Sequence, residues 1–90
     1  MANKIYQKVA ERDNHECRIC GNNQIQIHHI IFRSHGGKNS KENLITLCKH
    51  HHDKAHENER EWRTRLLELQ RSIYGDIDES ALKLKNKWVR

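Results

Sequence analysis

The sequence contains no proline, one methionine and five aromatic residues, and it lacks long apolar runs. Its longest apolar stretches fall far short of the roughly 18 residues that cross a bilayer, so the pattern excludes a membrane-spanning helix. With 90 residues and 34% hydrophobic content, it also excludes a large core. Small domains of this kind usually need a disulfide or a structural metal. Without a Pro-rich or low-complexity linker, residues 1–90 are predicted to form a single domain.

Cysteine is scarce as well, since the chain has only three. Three cysteines cannot all pair within one chain, and no signal-peptide pattern opens the sequence. These two observations predict a reducing, cytoplasmic compartment. The thiolates are therefore expected to be free to bind a metal ion.

Acidic residues are too few to balance the basic ones, and the net charge is +5 with a pI near 9.3. Residues 1–56 carry nine Lys or Arg and five Asp or Glu, a balance of +4, whereas residues 57–90 carry eight and seven, a balance of +1. Such an excess fits a polyanionic partner such as nucleic acid, although a merely soluble basic surface fits it equally well.

Hydrophobic periodicity predicts a mixture of helices and two strands. We expect a short helix ending near Asp13, followed by a strand from Ile25 to Phe32 that passes through His28-His29. A loop over residues 33–43, with Gly36-Gly37 as its hinge, leads to a second, antiparallel strand at Leu44–Leu47. A helix from about His50 to Gly75 and a last helix over residues 78–88 complete the chain. Trp62, Leu66, Leu69 and Ile73 form a stripe on the long helix and are predicted to be core or a subunit contact. Leu82 and Trp88 are the predicted apolar positions of the last helix.

What the chain has in excess is metal-binding residues, because seven of its eight histidines and all its cysteines lie between Cys17 and His56. Cys17 and Cys20, followed by Gly21, have the spacing of a zinc knuckle. Cys48 and the residue three positions later, His51, have the same spacing and predict a Cys₃His structural site. His50 is the competitor for the place of His51, and a redox Cys-x-x-Cys pair is the alternative to a metal site.

A second cluster is predicted from histidines alone. His52 and His56 are four residues apart, which places both on one face of a helix. A third ligand is expected from His28-His29, and because neighbouring strand residues point to opposite faces, one can bind the metal while the other has a different task. The alternative is a set of exposed histidines with no common site.

Three protein ligands leave coordination positions open, which is typical of a catalytic metal. An open metal can polarise a phosphodiester and stabilise charge on the leaving oxygen. A histidine that is not a ligand, with the ordinary pKa of about 6.5 for this side chain, is suited to take a proton from attacking water.

The order of these motifs resembles the HNH endonucleases of the ββα-metal fold, in the branch that carries zinc-binding cysteines. The match covers residues 17–56, with residues 57–90 as a C-terminal helical extension. The three positions that name the family fall on His29, Asn43 and His52. The resemblance implies an α+β fold, in which a two-stranded hairpin and a helix carry a zinc knuckle and are flanked by N- and C-terminal helices.

The resemblance also implies a role for each matching residue. His29 would be the general base, His28 a metal ligand beside His52 and His56, and Asn43 the residue whose hydrogen bonds hold the loop and aim His29. The structural zinc would be held by Cys17, Cys20, Cys48 and His51.

The chain departs from the family pattern at two positions. Many cysteine-bearing members have Asp where this chain has His28, and Cys where it has His51. An all-imidazole triad suits Mn²⁺, Zn²⁺, Ni²⁺ or Co²⁺ better than Mg²⁺. In this respect the chain resembles the bacterial toxin nucleases of the superfamily.

We therefore predict a metal-dependent DNA endonuclease or nickase, with a structural Zn²⁺ and a catalytic divalent metal as cofactors and DNA as partner. Phosphate contacts are predicted for Arg33, Lys41 and Lys54, although a solvated surface explains each as well. The family resemblance adds a bacterial or phage-infected cell, and a phage packaging or recruiting protein as a further partner. The competing hypothesis is a non-catalytic zinc module that binds nucleic acid; the oligomeric state is open.

Overall fold

The structure, a computed structural model, describes residues 4–77 and 79–83. Within these ranges the chain forms helix α1 (Lys4–Arg12), strand β1 (Ile25–His29), strand β2 (Leu44–Cys48), helix α2 (Lys49–Glu57) and helix α3 (Glu59–Tyr74), with short 3₁₀ turns at Arg33–His35 and Glu79–Leu82. The two strands form one antiparallel sheet. This order confirms the predicted α+β fold, a hairpin followed by a helix with further helices on either side.

The hairpin sets which side chains meet. β1 and β2 pair in a register that places His28 opposite Ile45 and His29 opposite Leu44. β1 is shorter than predicted and ends at His29 instead of Phe32. The backbone N–H and carbonyl of Ile31 are hydrogen-bonded to the side chain of Asn43 instead of to a strand partner. The chain therefore leaves the strand pairing before Ile31.

The core lies between the hairpin and the helices. Its buried apolar members include Ile30, Ile31, Ile45, Leu47, Leu66, Leu67 and Leu82, with Trp62 and Leu69 packed against them. Ile73 was predicted to belong to the same stripe and is 44% exposed instead. Ile73 lies on the same face of α3 as Leu66 and Gln70, but it is in the last turn of the helix, beyond Gln70, the last buried residue of α3.

The helix predicted to run from about His50 to Gly75 is divided in two. Asn58 has non-helical backbone angles of φ −137° and ψ 71°, which end α2 and begin α3. Its side-chain amide donates to Glu61 at 2.9 Å, and its carbonyl accepts the Trp62 N–H at 3.1 Å. The predicted end at Gly75 is confirmed, with φ 78°. No helix in the described ranges is long and apolar enough to cross a membrane.

A buried polar group joins α1, β2 and the segment that carries the first two cysteines. Asp13 is 6% exposed and accepts hydrogen bonds from Arg12, Arg18 and the Thr46 backbone N–H. Burial alone would raise the pKa of this carboxyl, but the hydrogen bonds and charges of the two arginines, together with the Thr46 N–H, lower it. Arg18 also donates to buried Gln70 at 3.0 Å, so the cysteine-bearing segment is fixed against α3.

The last described segment packs under the long loop. Leu82 is fully buried, its carbonyl accepts the Lys38 N–H at 2.9 Å, and Lys83 pairs with Gly37. A helix was predicted over residues 78–88, and within the described residues of this range the chain forms a 3₁₀ turn at Glu79–Leu82. Residue 78, residues 84–88 and with them Trp88 lie outside the described residues.

Candidate metal centres and the adjoining cleft

Three histidines converge between β1 and α2. The ring centroid of His28 lies 5.2 Å from that of His52 and 5.5 Å from that of His56, and the two helical rings are 4.6 Å apart. One ring nitrogen from each of the three lies within 4.8 Å of the others. The i, i+4 spacing on α2 and the inward face of β1 are sufficient to bring these side chains together.

Burial holds His28 in the form that binds metals. The side chain is 3% exposed, and burial lowers its pKa to about 3, with smaller contributions from His52, His56 and His29. Burial and the neighbouring His56 also lower the pKa of His52. Neutral imidazole nitrogens are ligands for divalent transition metals, so these three residues fit such an ion.

A cleft of about 290 Å³ opens beside this cluster. The three histidines form part of its wall, together with Ile27, His29, Phe32, Arg33 and Ser34. His29 follows His28 directly on β1 and is half-buried. Its ring meets the edge of the Tyr6 ring on α1 at 6.1 Å, so it belongs to a different set of contacts from the His28 ring. The cleft thus combines clustered imidazoles, a separate histidine and an arginine.

Asn43 fixes the loop that borders the cleft. Its Oδ1 accepts the Ile31 N–H at 2.8 Å, and its Nδ2 donates to the carbonyls of Ile31 at 3.1 Å and Lys38 at 2.8 Å. These bonds lie where the sequence places a loop-holding role, and the part of Asn43 in catalysis stays a prediction. Gly37 is needed beside it, because a Cβ there would overlap the carbonyl of Ile31. The adjacent Gly36 has φ 85°, a left-handed conformation.

Four further donor atoms converge where β2 ends and α2 begins. The Sγ atoms of Cys20 and Cys48 are 3.7 Å apart, and His51 Nδ1 lies 3.4 Å from Cys48 Sγ and 3.7 Å from Cys17 Sγ. All four ligand atoms lie within 4.8 Å of one another, and the three cysteines are free. This tetrad could hold a metal such as zinc, and a convergence of four donors favours a metal over a dithiol pair.

Within the tetrad, Cys17 is the cysteine whose surroundings favour the thiolate, whereas at Cys20 a backbone hydrogen bond is outweighed by burial and by hydrogen bonds with the Cys48 and Cys17 side chains, which raise the pKa. Burial by itself would raise the pKa of the Cys17 thiol, but hydrogen bonds from the backbone N–H groups of Cys20, Cys48 and Ile19 lower it. His51 is the histidine that contributes to the tetrad. His50 is exposed, with its ring against the ring of His51 at 5.0 Å.

The three predicted phosphate contacts lie in different places. Arg33 is exposed and lines the cleft. Lys41 lies over the ring of Tyr74, with Nζ 5.8 Å from the centroid, and Lys54 is exposed on α2. Of the three, Arg33 is therefore the residue that lines the cleft.

Sequence reasoning missed two contacts near the site. His35 pairs with Glu59, with Nδ1 3.2 Å from the carboxylate, and its ring stacks on Phe32. Asn39 Oδ1 lies 2.7 Å from Nε2 of His29. No local spacing signals either contact, because each joins residues from separate elements.

The comparisons with known proteins agree with this geometry. A protein-family model described as HNH endonuclease matches residues 17–58, which contain both donor clusters. Anaredoxin from Nostoc sp. (strain PCC 7120) is 33% identical over 58 residues, which cover 62% of this chain and 76% of that protein. The family match confirms the resemblance found in the sequence, and the chain belongs to the HNH endonuclease family.

Proposed function

We propose that this domain is a metal-dependent DNA endonuclease or nickase in which His29 is the general base. HNH membership suggests a nuclease or nucleic-acid-binding function with DNA as the partner. The observation that supports catalysis is the cleft, where His29 and Arg33 lie beside a cluster of three imidazoles. A module that only binds nucleic acid would need the cysteine tetrad but has no use for this second group.

Three side chains in and beside the cleft have a task in the proposed reaction. Arg33 holds a non-bridging oxygen of the phosphodiester. His29 takes a proton from the water molecule that attacks phosphorus, while the bond to the leaving oxygen breaks. Asn43 holds the loop that carries Arg33, so that His29 and the phosphate keep their relative position.

The histidine cluster supplies the metal site of this proposal. His28, His52 and His56 would hold a divalent ion, and their donor set favours Mn²⁺, Zn²⁺, Ni²⁺ or Co²⁺ over Mg²⁺. Such an ion, when bound, offers positive charge to the phosphate and the leaving oxygen. The cysteine tetrad would hold a structural Zn²⁺.

Plasmid cleavage tests the proposal. The wild type and His29→Ala are incubated with supercoiled DNA and each of the five metals, and nicked and linear products are quantified. We expect His29→Ala to lower the cleavage rate by roughly 10²- to 10⁴-fold, the usual contribution of a general base. His50→Ala is the matched control, because it removes an exposed histidine outside both clusters.

The outcome also separates the two functions. Equal cleavage by the wild type and His29→Ala would contradict the general-base role. DNA binding without cleavage in any of the five metals would instead support the non-catalytic zinc module. Accumulation of nicked plasmid without linear product would identify a nickase.

A further inference from the structure

One side chain outside the predicted site touches His29. Asn39 lies in the loop between the first 3₁₀ turn and β2, ten residues after His29 in the sequence. Its Oδ1 lies 2.7 Å from Nε2 of His29, which is hydrogen-bonding distance. An amide oxygen can only accept a hydrogen bond, so in this pair Nε2 is the donor.

This contact decides which nitrogen of His29 can act. A neutral imidazole carries one N–H, and the hydrogen bond made by one nitrogen fixes the state of the other. With the hydrogen on Nε2, the lone pair of Nδ1 is free to accept a proton. The opposite tautomer would place an acceptor nitrogen against an acceptor oxygen and lose the bond.

Asn39 is held in place by its neighbours in the chain. The Lys38 N–H donates to Leu82 and the Lys38 carbonyl accepts from Asn43, while the Asn43 N–H donates to the Ser40 carbonyl at 2.9 Å. On the opposite element, the ring of His29 meets the Tyr6 ring in an edge contact. The residues on both sides of Asn39 are therefore anchored, and its amide is aimed at a ring that is itself packed.

We propose that Asn39 is a positioning residue that holds His29 in the Nε2–H tautomer, so that Nδ1 faces the cleft as the proton acceptor. The consequence for the reaction rests on the proposed function. The tautomer itself does not, and it can be measured without cleavage.

The direct test is the tautomer of His29 in zinc-loaded protein labelled with ¹⁵N, at a pH high enough for neutral imidazoles. Long-range ¹H–¹⁵N correlation spectra distinguish the nitrogen that carries hydrogen from the one that does not. We expect the wild type to show hydrogen on Nε2, and Asn39→Ala to show a mixture of both forms. Asn39→Asp keeps an acceptor oxygen and is expected to retain the wild-type pattern. Asn23→Ala, at an exposed asparagine remote in sequence from the loop, is the matched control.

Cleavage kinetics test the consequence. We expect Asn39→Ala to lower kcat by roughly 10- to 100-fold, by analogy with the loss of a hydrogen bond that orients a metal-bound histidine, with little change in KM. In the His29→Ala background the same substitution should cause no further loss, because Asn39 acts through His29. Thermal melts of each variant check that the fold is intact.

Each outcome has a defined meaning. An unchanged tautomer in Asn39→Ala would overturn the inference, even if cleavage fell. Hydrogen on Nδ1 in the wild type would show that the amide group faces Nε2 with its nitrogen, which also overturns the inference. If His29→Ala cleaves like the wild type while Asn39→Ala shifts the tautomer, the positioning contact stands and the general-base proposal fails.

Discussion

The two donor clusters share one short stretch of chain and differ in what they join. Cys48 and His51 belong to the tetrad with Cys17 and Cys20. His52 and His56 belong to the second cluster, the triad that they form with His28. The tetrad links the start of α2 to the distant Cys17-x-x-Cys20 segment, which has no strand or helix of its own. The triad lies on a strand and a helix that already pack against each other.

This difference indicates which cluster the fold depends on. Four donors leave no open position and tie an irregular segment to the core, as in structural zinc sites. Three donors beside a cleft leave room for another molecule. Consecutive residues His51 and His52 serve different clusters because successive helical side chains are about 100° apart.

The largest effect is expected from breaking the tetrad. Cys48→Ser keeps the size of the side chain and removes a thiolate. Structural zinc contributes on the order of 10 kcal/mol to folding in small zinc domains, which is as much as the whole stability of a typical domain. We therefore expect Cys48→Ser to lose zinc and its cooperative thermal transition, as measured by metal analysis and circular dichroism.

His56→Ala provides the comparison at the triad. The side chain is exposed, so its removal should leave the transition and one bound zinc in place while metal-dependent cleavage is lost. The reverse order, with His56→Ala the less stable variant, would show that the two clusters have been assigned the wrong roles.

A smaller effect, on zinc affinity, should distinguish His51 of the tetrad from its neighbour His50. His51→Ala removes one of four ligands, and we expect a loss of zinc affinity beyond the roughly 10- to 100-fold that outer partners of metal ligands contribute. His50→Ala should change the free energy of unfolding by no more than about 0.5 kcal/mol, as for other exposed positions. Competition with a chromogenic chelator measures the affinity, and a loss caused by His50→Ala would transfer the ligand role to His50.

Local patterns were sufficient to predict the parts of the fold that depend on short spacing. Alternating apolar residues predicted the hairpin, and the i, i+4 pair His52 and His56 predicted one face of the triad. The Cys-x-x-Cys spacing and its repetition at Cys48 predicted which four residues converge. These features depend on neighbours within one turn or one strand, so the sequence alone is informative.

Contacts between distant segments were not accessible in this way. The burial of Leu82 under the loop, the Asp13 group and the Asn39 bond each join residues far apart in sequence or in different elements. The break at Asn58 was also missed, since the predicted apolar stripe begins only at Trp62, four residues later. Periodicity reports which face of a helix is apolar, but it does not report where the backbone leaves the helical conformation, as it does at Asn58.

The smallest effect concerns protons at the triad, where His28 is neutral in the folded protein. Its pKa is lowered to about 3 from an ordinary 6.5, so between these values the unfolded chain binds a proton that the folded chain does not. The contribution of His28 to the stability of the folded protein is therefore fully present above pH 6.5, and it declines as the pH falls toward 3.

His28→Phe is the matched variant for this measurement, because it keeps a buried ring and cannot titrate. Acid also weakens zinc binding at the cysteines, but that effect is shared by both proteins and cancels in their difference. The free energy of unfolding of the wild type, relative to His28→Phe and without metal at the triad, should fall by roughly 2 kcal/mol from pH 6.5 to about pH 5. Urea titrations at several pH values measure it, and a constant difference would show that His28 takes up protons in the folded protein as readily as in the unfolded chain.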